Sequence, residues 1–294
     1  MSEQLALKNR TEIATLLKQG ESFLQTDVTV AAWVRSVRKS KNLSFVVLND
    51  GSSQESLQVI VEDTLSNYEE LSSMHIGTAV LFHGTFVPSG GKGQAYEVHG
   101  KEGQIIGEVR EGYPLQKKAT SLEFLRENAH LRPRTNLFGA VYRIRHALSM
   151  ATHQFFHERN YYYLHSPILT AIDAEGAGEL FTVTTYDMEK FDRVPQEKGS
   201  VDFTHDYFGA QASLCVTGQL EAEAFAEGMG KVYTFGPTFR AENSNTPRHL
   251  AEFWMIEPEA AFLDLEGCAD LASAYVKYLI NYAFENCRAE LQAI

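Results

Sequence analysis

Arg240, Glu242, Arg248, His249, Leu250, Glu252 and Phe253 fall within fourteen residues of this 294-residue chain. A guanidinium is a planar fork that matches two phosphate oxygens at once and stays charged at neutral pH. An aromatic ring beside it offers a flat apolar face for a base. Fixed positive charge next to such a ring suits a nucleotide. Thr238–Glu242 reads as a strand, and strand side chains alternate, so Arg240 and Glu242 are expected on one face. Asn243-Ser244-Asn245-Thr246-Pro247 is rich in turn formers, and Trp254-Met255-Ile256 runs back as a second strand. The expected product is a hairpin carrying a guanidinium, a carboxylate, a further Arg and His at its tip, and a phenyl ring on the return strand. A lone Arg-x-Glu would suit an ordinary surface ion pair; the loop length and the aromatic make this pattern more specific.

The segment Phe235–Thr246, taken with Arg248-His249-Leu250-Ala251-Glu252-Phe253, resembles motif 2 of the class II aminoacyl-tRNA synthetases. In its details it resembles the asparaginyl-tRNA synthetases, and the likeness covers essentially the whole chain. It implies an α+β fold, with an N-terminal OB-fold β-barrel followed by a class II synthetase antiparallel-sheet catalytic domain. The implied divisions are 1–110 for an anticodon-binding OB domain, 111–132 for a hinge, and 133–294 for the catalytic domain. The implied reaction has two steps. The carboxylate of L-asparagine attacks the α-phosphate of ATP and releases pyrophosphate, and the asparaginyl group is then transferred from the adenylate to the 3′ end of tRNA(Asn), releasing AMP. Positioning and charge neutralisation dominate such chemistry. By resemblance, Arg240 bridges the substrate carboxylate and the α-phosphate, and Glu242 orients that region. Arg248 and His249 hold the far phosphates, Leu250 belongs to the same ATP site, and Phe253 stacks on adenine.

Composition sets outer bounds. Hydrophobic residues make up 44% and charged residues 22%, ordinary values for a globular chain long enough for two domains. Cys215, Cys268 and Cys287 are widely spaced, which argues against a disulfide framework or a zinc site and fits a reducing cytoplasm. No basic stretch followed by an apolar run opens the chain, and no apolar run reaches membrane-spanning length, so a cytoplasmic protein without membrane contact is expected. The net charge of −12 weakens any broad, sequence-blind attraction to nucleic acid. One basic cluster, Arg35, Arg38, Lys39 and Lys41, stands against that balance.

Residues 27–110 read as successive strands. Val28, Val30, Ala32 and Val34 alternate with more polar neighbours, Phe45-Val46-Val47-Leu48 ends at the turn Asn49-Asp50-Gly51, and Leu57, Val59 and Val61 alternate again. Thr64 is the expected cap of a short helix carrying Leu65, Tyr68, Leu71 and Met74 at helical spacing. Strands resume at Ala79–Phe82, Tyr96–Val98 and Gln104–Ile106. Three strands, a helix and further strands is the order of an OB-fold barrel. Ser89-Gly90-Gly91-Lys92-Gly93 lies between two strands and opens no helix, so it is expected to be a hairpin loop and not a phosphate loop. Phe45 would ordinarily be a core residue and Gln58 a solvent-facing strand polar. The resemblance instead matches them to positions that stack on and hydrogen-bond the central anticodon uridine, with Arg35 on the RNA phosphates. An aromatic face holds an unstacked base, and an amide both donates to and accepts from its pairing edge.

Gly112-Tyr113-Pro114 breaks the β pattern. A long helix is expected from about Asn136, with Leu137, Val141, Ile144, Leu148, Ala151 and Phe155 on one stripe. It runs into Asn160–Leu169, which resembles motif 1, the dimer-interface element of the family, so a homodimer is implied. Asn160 stands where the family usually has Gly, and Asn is the best non-Gly residue at a left-handed helix end. The loop Asp173–Phe181 pairs glycines with acids; by resemblance Glu175 binds the α-ammonium of the amino acid. Thr217 and Gln219, in Val216-Thr217-Gly218-Gln219, match residues around the substrate backbone. Three residues past Gln219 the aspartyl enzymes place a Lys; here Ala222 is followed by Glu223. A carboxylate accepts from an asparagine NH2 and repels an aspartate side chain, by about 4 kcal/mol at an effective dielectric of about 20. Asparagine is therefore favoured over aspartate. Glu221 and Glu223 also fit two solvated helix residues.

After Asp264, a plausible helix cap, the chain reads as helix to about Glu290 with Leu271, Tyr275, Tyr278, Leu279 and Ala283 on one side. No Gly-rich segment ending in Glu-Arg follows, so motif 3 is absent from these residues, and no metal ligand is assigned. The Mg²⁺ that accompanies ATP would find its family ligands further downstream. These residues alone are expected to lack substantial aminoacylation activity. Three other readings fit the same chain: a non-catalytic tRNA- or RNA-binding module, an aspartyl-specific relative, and an asparagine-forming or amino-acid-binding relative. The OB domain counts against the last. No function is assigned to 187–208.

Overall fold

A computed structural model describes residues 6–91, 93–110, 112–115, 120–172, 174, 179–244, 246 and 248–294. The chain divides into two compact units: Met1–Ala147 with Ala283–Ile294, and Leu148–Tyr282.

The first unit is built on a closed five-stranded barrel. Two short helices, α1 (Ile13–Lys18) and α2 (Gly20–Phe23), precede β1 (Asp27–Lys39), β2 (Leu43–Asn49) and β3 (Leu57–Glu62). Helix α3 (Tyr68–Ser72) follows, then β4 (Ala79–Pro88) and β5 (Tyr96–Gly107), and the strand order round the barrel is β1-β2-β3-β5-β4. Alternation drives closure: Val28, Val30, Ala32 and Val34 of β1 are buried with Val46 and Leu48 of β2 and Leu57, Val59 and Val61 of β3. Phe82 and Phe86 of β4 fill the middle of this core. Ile13 and Leu16 of α1 are also fully buried in it, and Asp50 holds the first helical amide, Ile13 N to Oδ2, at 2.9 Å.

Two expectations need correction here. The helix after β3 is shorter than its spacing suggested: it starts at Tyr68 with Asn67 as its cap residue, while Leu65 sits in a turn bonded back to Glu62. Thr64 therefore caps nothing. Residues 96–107 are one strand, not two, and pair along β4 with a register shift between His83 and Gly84 that absorbs the irregular middle. The segment after Pro88 is the β4–β5 hairpin loop expected from its glycines; Gly93, at φ 90°, supplies the left-handed turn residue.

After the barrel come α4 (Leu122–Glu127) and α5 (Asn136–His157). Leu115, Leu125 and Leu131 form a small separate core with Tyr113, Phe124 and Phe138.

The second unit holds β6 (Tyr162–Leu164), β7 (Leu169–Thr170), β8 (Thr182–Val183), β9 (Gln196–Glu197), β10 (Ser200–Val201), β11 (Ala212–Leu214), α6 (Gln219–Met229), β12 (Lys231–Phe239) and β13 (Glu252–Ala260). Helices α7 (Leu265–Asn286) and α8 (Arg288–Gln292) close the chain. The central sheet has the order β13-β12-β6; β12–β13 is a nine-pair antiparallel hairpin, and β6 joins β12 in parallel. Phe155 and Phe156 of α5 pack with Tyr161 and Tyr233, against Leu271, Tyr275 and Tyr278 of α7. Asp264 caps α7 as expected, its Oδ1 accepting from Gly267 N at 2.8 Å. Asn160 ends α5 at φ 61°, the left-handed role its type suggested. The stripe on α5 is buried only at its far end: Ala151 and Phe155 are inside, whereas Val141 is 39% exposed.

Candidate active site

The hairpin β12–β13 carries the candidate site at its open end. Strand β12 ends at Phe239, so Arg240 and Glu242 lie just past the strand and not on it. The ladder splays there. Arg240 N still donates to Ala251 O at 3.0 Å, but Ala241 N turns away to Glu179 O at 2.7 Å. Arg240 and Glu242 nonetheless reach the same space. Arg240, Glu242, Arg248, His249, Leu250 and Phe253 line one cavity of about 290 Å³. The Arg240 guanidinium carbon lies 5.5 Å from the centre of the Phe253 ring. Its Nη2 reaches Val216 O at 3.5 Å, while its buried Nε has no hydrogen-bond partner. A buried, unspent N–H on a cation is a donor waiting for an acceptor. His249 is held through Nδ1 by the Thr246 hydroxyl. Leu250 is 66% exposed at the rim.

Beyond Val216 the chain enters α6. Thr217 Oγ1 donates to Glu257, Gly218 N donates to the other oxygen of Glu257 at 3.1 Å, and Gln219 N donates to Thr217 Oγ1 at 3.1 Å. Thr234, directly opposite Glu257 in the hairpin, gives it a further hydroxyl at 2.9 Å. One carboxylate thus ties the start of α6 to the central sheet. A Cβ on Gly218 would sit 2.7 Å from Ser166 Oγ and 2.9 Å from a Thr234 methyl, so only Gly fits. Sequence reasoning missed Glu257, because its partners are distant in the chain and meet it only across the hairpin.

Gln219 Nε2 donates to Glu223 Oε1 at 2.8 Å, one helical turn on. Glu223 is exposed. Water screening lowers the expected repulsion of an aspartate side chain to about 1 kcal/mol. Burial raises the Glu259 carboxyl above its ordinary value, and the charges of Glu223 and Glu257 push it the same way. These three carboxylates share a negative field around the Gln219 end of the site. Glu175 lies outside the described residues. Among those described, no group of three or more His, Cys, Asp and Glu side chains gathers to hold a metal ion.

On the barrel, Phe45 and Gln58 project from adjacent strands on one outer face, since Phe45 pairs with Ile60 and Val47 with Gln58. The Arg38 guanidinium stacks 4.5 Å from the Phe45 ring centre. Gln58 Nε2 donates to Glu97 Oε2 at 3.0 Å, and Ser89 Oγ and Gln94 Nε2 donate to the same oxygen at 2.8 and 3.1 Å. The Gln58 amide is thereby held with its carbonyl oxygen available. Arg35 does not join this face. It is the extra residue of a β1 bulge between Val34 and Ser36, and its guanidinium donates to Arg134 O and Asn49 Oδ1. That bulge re-aims the Arg35 side chain away from Phe45 and Gln58.

Known proteins match both parts of the chain. Residues 28–106 match the family described as OB-fold nucleic acid binding domain, and residues 121–293 match tRNA synthetases class II (D, K and N). The asparagine–tRNA ligase of Bacteroides fragilis is 50% identical over 286 residues, covering 97% of this chain and 60% of that protein. The asparagine–tRNA ligase of Geobacter sulfurreducens is 52% identical over 266 residues, covering 90% and 57%. The chain therefore spans about 60% of the length of the curated relatives it matches. Among solved structures, asparaginyl-tRNA synthetase from Pyrococcus horikoshii complexed with asparaginyl-adenylate superposes with a TM-score of 0.81 over 96% of this chain and 60% of that one, at 24% identity. The barrel, the hairpin and the matched residues converge on one assignment: this chain belongs to the class II tRNA synthetases of the aspartate, lysine and asparagine group.

Proposed function

We propose that the protein carrying this chain ligates L-asparagine to tRNA(Asn) through an asparaginyl-adenylate made from ATP. The single observation that carries this reading is the cavity at the open end of β12–β13, where two guanidiniums, an imidazole and a phenyl ring converge beside the start of α6. The phosphates of bent ATP lie against Arg240, Arg248 and His249, and adenine lies on Phe253. Glu242 orients the reacting end. The Arg240 Nε–H and the α-phosphate complete each other. The asparagine backbone sits against Thr217 and Gln219, with Glu175 on its ammonium group, and the side-chain amide donates to Glu223. Asparagine is neutral and tolerates the field of Glu223, Glu257 and Glu259, whereas aspartate does not. The relatives named as asparagine–tRNA ligases support the same choice.

Residues 1–110 are the anticodon reader, with Phe45 stacking a base and Gln58 accepting from its pairing edge; 111–132 is the hinge and 133–294 the catalytic part. The protein acts in the cytoplasm as a homodimer through the α5–β6 region. No helix among the described residues is long and apolar enough to cross a membrane.

Asparagine-dependent exchange of pyrophosphate into ATP by the complete gene product tests the reading directly. Exchange with asparagine, and much weaker exchange with aspartate, is the expected result; preference for aspartate, or no exchange with either, would overturn it. Two further outcomes follow. Glu223→Gln is expected to narrow the asparagine-over-aspartate preference by roughly fivefold, the effect of about 1 kcal/mol, measured as the ratio of kcat/KM values. Phe45→Ala is expected to weaken binding of an anticodon stem-loop with a central U by roughly 5- to 150-fold, with pyrophosphate exchange unchanged.

A further inference from the structure

A second cavity, about 640 Å³, lies in the first unit between the barrel and the residues that follow it. Its walls include Trp33, Arg35, Tyr113, Arg134 and Asn136, and among the described residues lining it there is no Asp or Glu. The charge on these described residues is therefore of one sign. Arg134 is held over two rings, its guanidinium carbon 5.7 Å from the centre of Trp33 and 5.9 Å from that of Tyr113, and its Nη1 donates to Tyr113 Oη at 3.0 Å. Arg35 finds only neutral acceptors, the Arg134 carbonyl and Asn49, and its buried Nε has no partner. Burial pushes the Arg35 guanidinium below its ordinary value; nearby Tyr113 acts against that, and Arg134 and Arg143 add to it. Arg143 spends its own donors on Gly51 O and Gln54 Oε1.

Cations gathered without a counter-ion are costly unless an anion completes them. The volume is within the range of small-molecule sites, and Trp33, 42% exposed, leaves ring surface open for a base. We propose that this cavity binds a nucleoside monophosphate, its phosphate between Arg35 and Arg134 and its base against Trp33. The site is separate from the hairpin cavity, which uses none of these residues.

Trp254 is the other tryptophan of this chain, so the difference in fluorescence between a Trp254→Phe protein and a Trp254→Phe/Trp33→Phe protein reports on Trp33. Titration with AMP is expected to quench that fluorescence saturably. The quench persists when Arg240→Ala disables the hairpin cavity, and its midpoint rises at least about tenfold with Arg35→Gln or Arg134→Gln. Circular dichroism checks that each variant is folded; should Arg35→Gln disturb the barrel, Arg134→Gln carries the test, because its guanidinium bonds a tyrosine hydroxyl and lies over the Trp33 and Tyr113 rings. The proposal is overturned by an absent AMP response, by a response that vanishes with Arg240→Ala, by one unchanged in Arg134→Gln, or by quenching from an RNA stem-loop with none from AMP.

Discussion

Replacing Arg240 by Ala is expected to lower asparagine-dependent pyrophosphate exchange by roughly 10²- to 10³-fold, the usual cost of losing one preorganised donor at a developing charge. Geometry makes Arg240 the most consequential position in the hairpin. It stands where the two halves of the candidate site meet, with Phe253 under its guanidinium and Val216 O at 3.5 Å on the other side. Its backbone is pinned to Ala251 and its Nε is buried without a partner, so one donor is already aimed and desolvated. Such a donor costs no reorganisation when negative charge builds on phosphorus. Arg240→Lys is expected to recover little, since an ammonium presents a point charge and not a fork. Most of the loss should fall on kcat, with a smaller effect on the KM for ATP, because the contact strengthens as the reaction proceeds. A variant with wild-type exchange would remove Arg240 from the reaction.

Glu257→Ala is expected to raise the KM for asparagine by at least about 30-fold while leaving the KM for ATP nearly unchanged. The carboxylate accepts from Thr217, Gly218 and Thr234. Its removal orphans three partly buried donors, each worth about 1–3 kcal/mol when unsatisfied. The damage is local to the turn that launches α6, and that turn sets where Gln219 and Glu223 stand. Nucleotide-side residues hang on the other end of the hairpin, which explains the split between the two KM values. Glu257→Gln retains a carbonyl oxygen and is expected to fall between the two. Equal rises in both KM values would mean that the whole hairpin had loosened, and would remove the specific role of Glu257.

The barrel was legible because its physics is local. Alternation in β1, β2 and β3, and a turn at Asn49-Asp50-Gly51, state the fold in periods of two. The hairpin residues were legible by type and spacing, and Arg240 and Glu242 reach one cavity even though β12 stops short of them. What escaped notice depends on distant partners. Glu257 looks like any strand glutamate until Thr217 and Thr234 close on it. Arg35 belongs by sequence to a basic cluster with Arg38; one extra residue in β1 turns it from the face that Phe45 and Gln58 share. A bulge leaves no local signature, since it is a mismatch between two strands and not a property of one. Thr64 was a reasonable cap by type, but the bond from Leu65 back to Glu62 makes a turn there and delays the helix to Tyr68.

The most direct measurement is a crystal structure of the protein with a non-hydrolysable asparaginyl-adenylate analogue. The account predicts the adenine on the Phe253 ring, the phosphoryl group against Arg240 with a bond to its Nε, and the asparagine amide at Gln219 and Glu223. An analogue bound away from the β12–β13 hairpin, or bound there with Arg240 turned from the phosphorus, would contradict it.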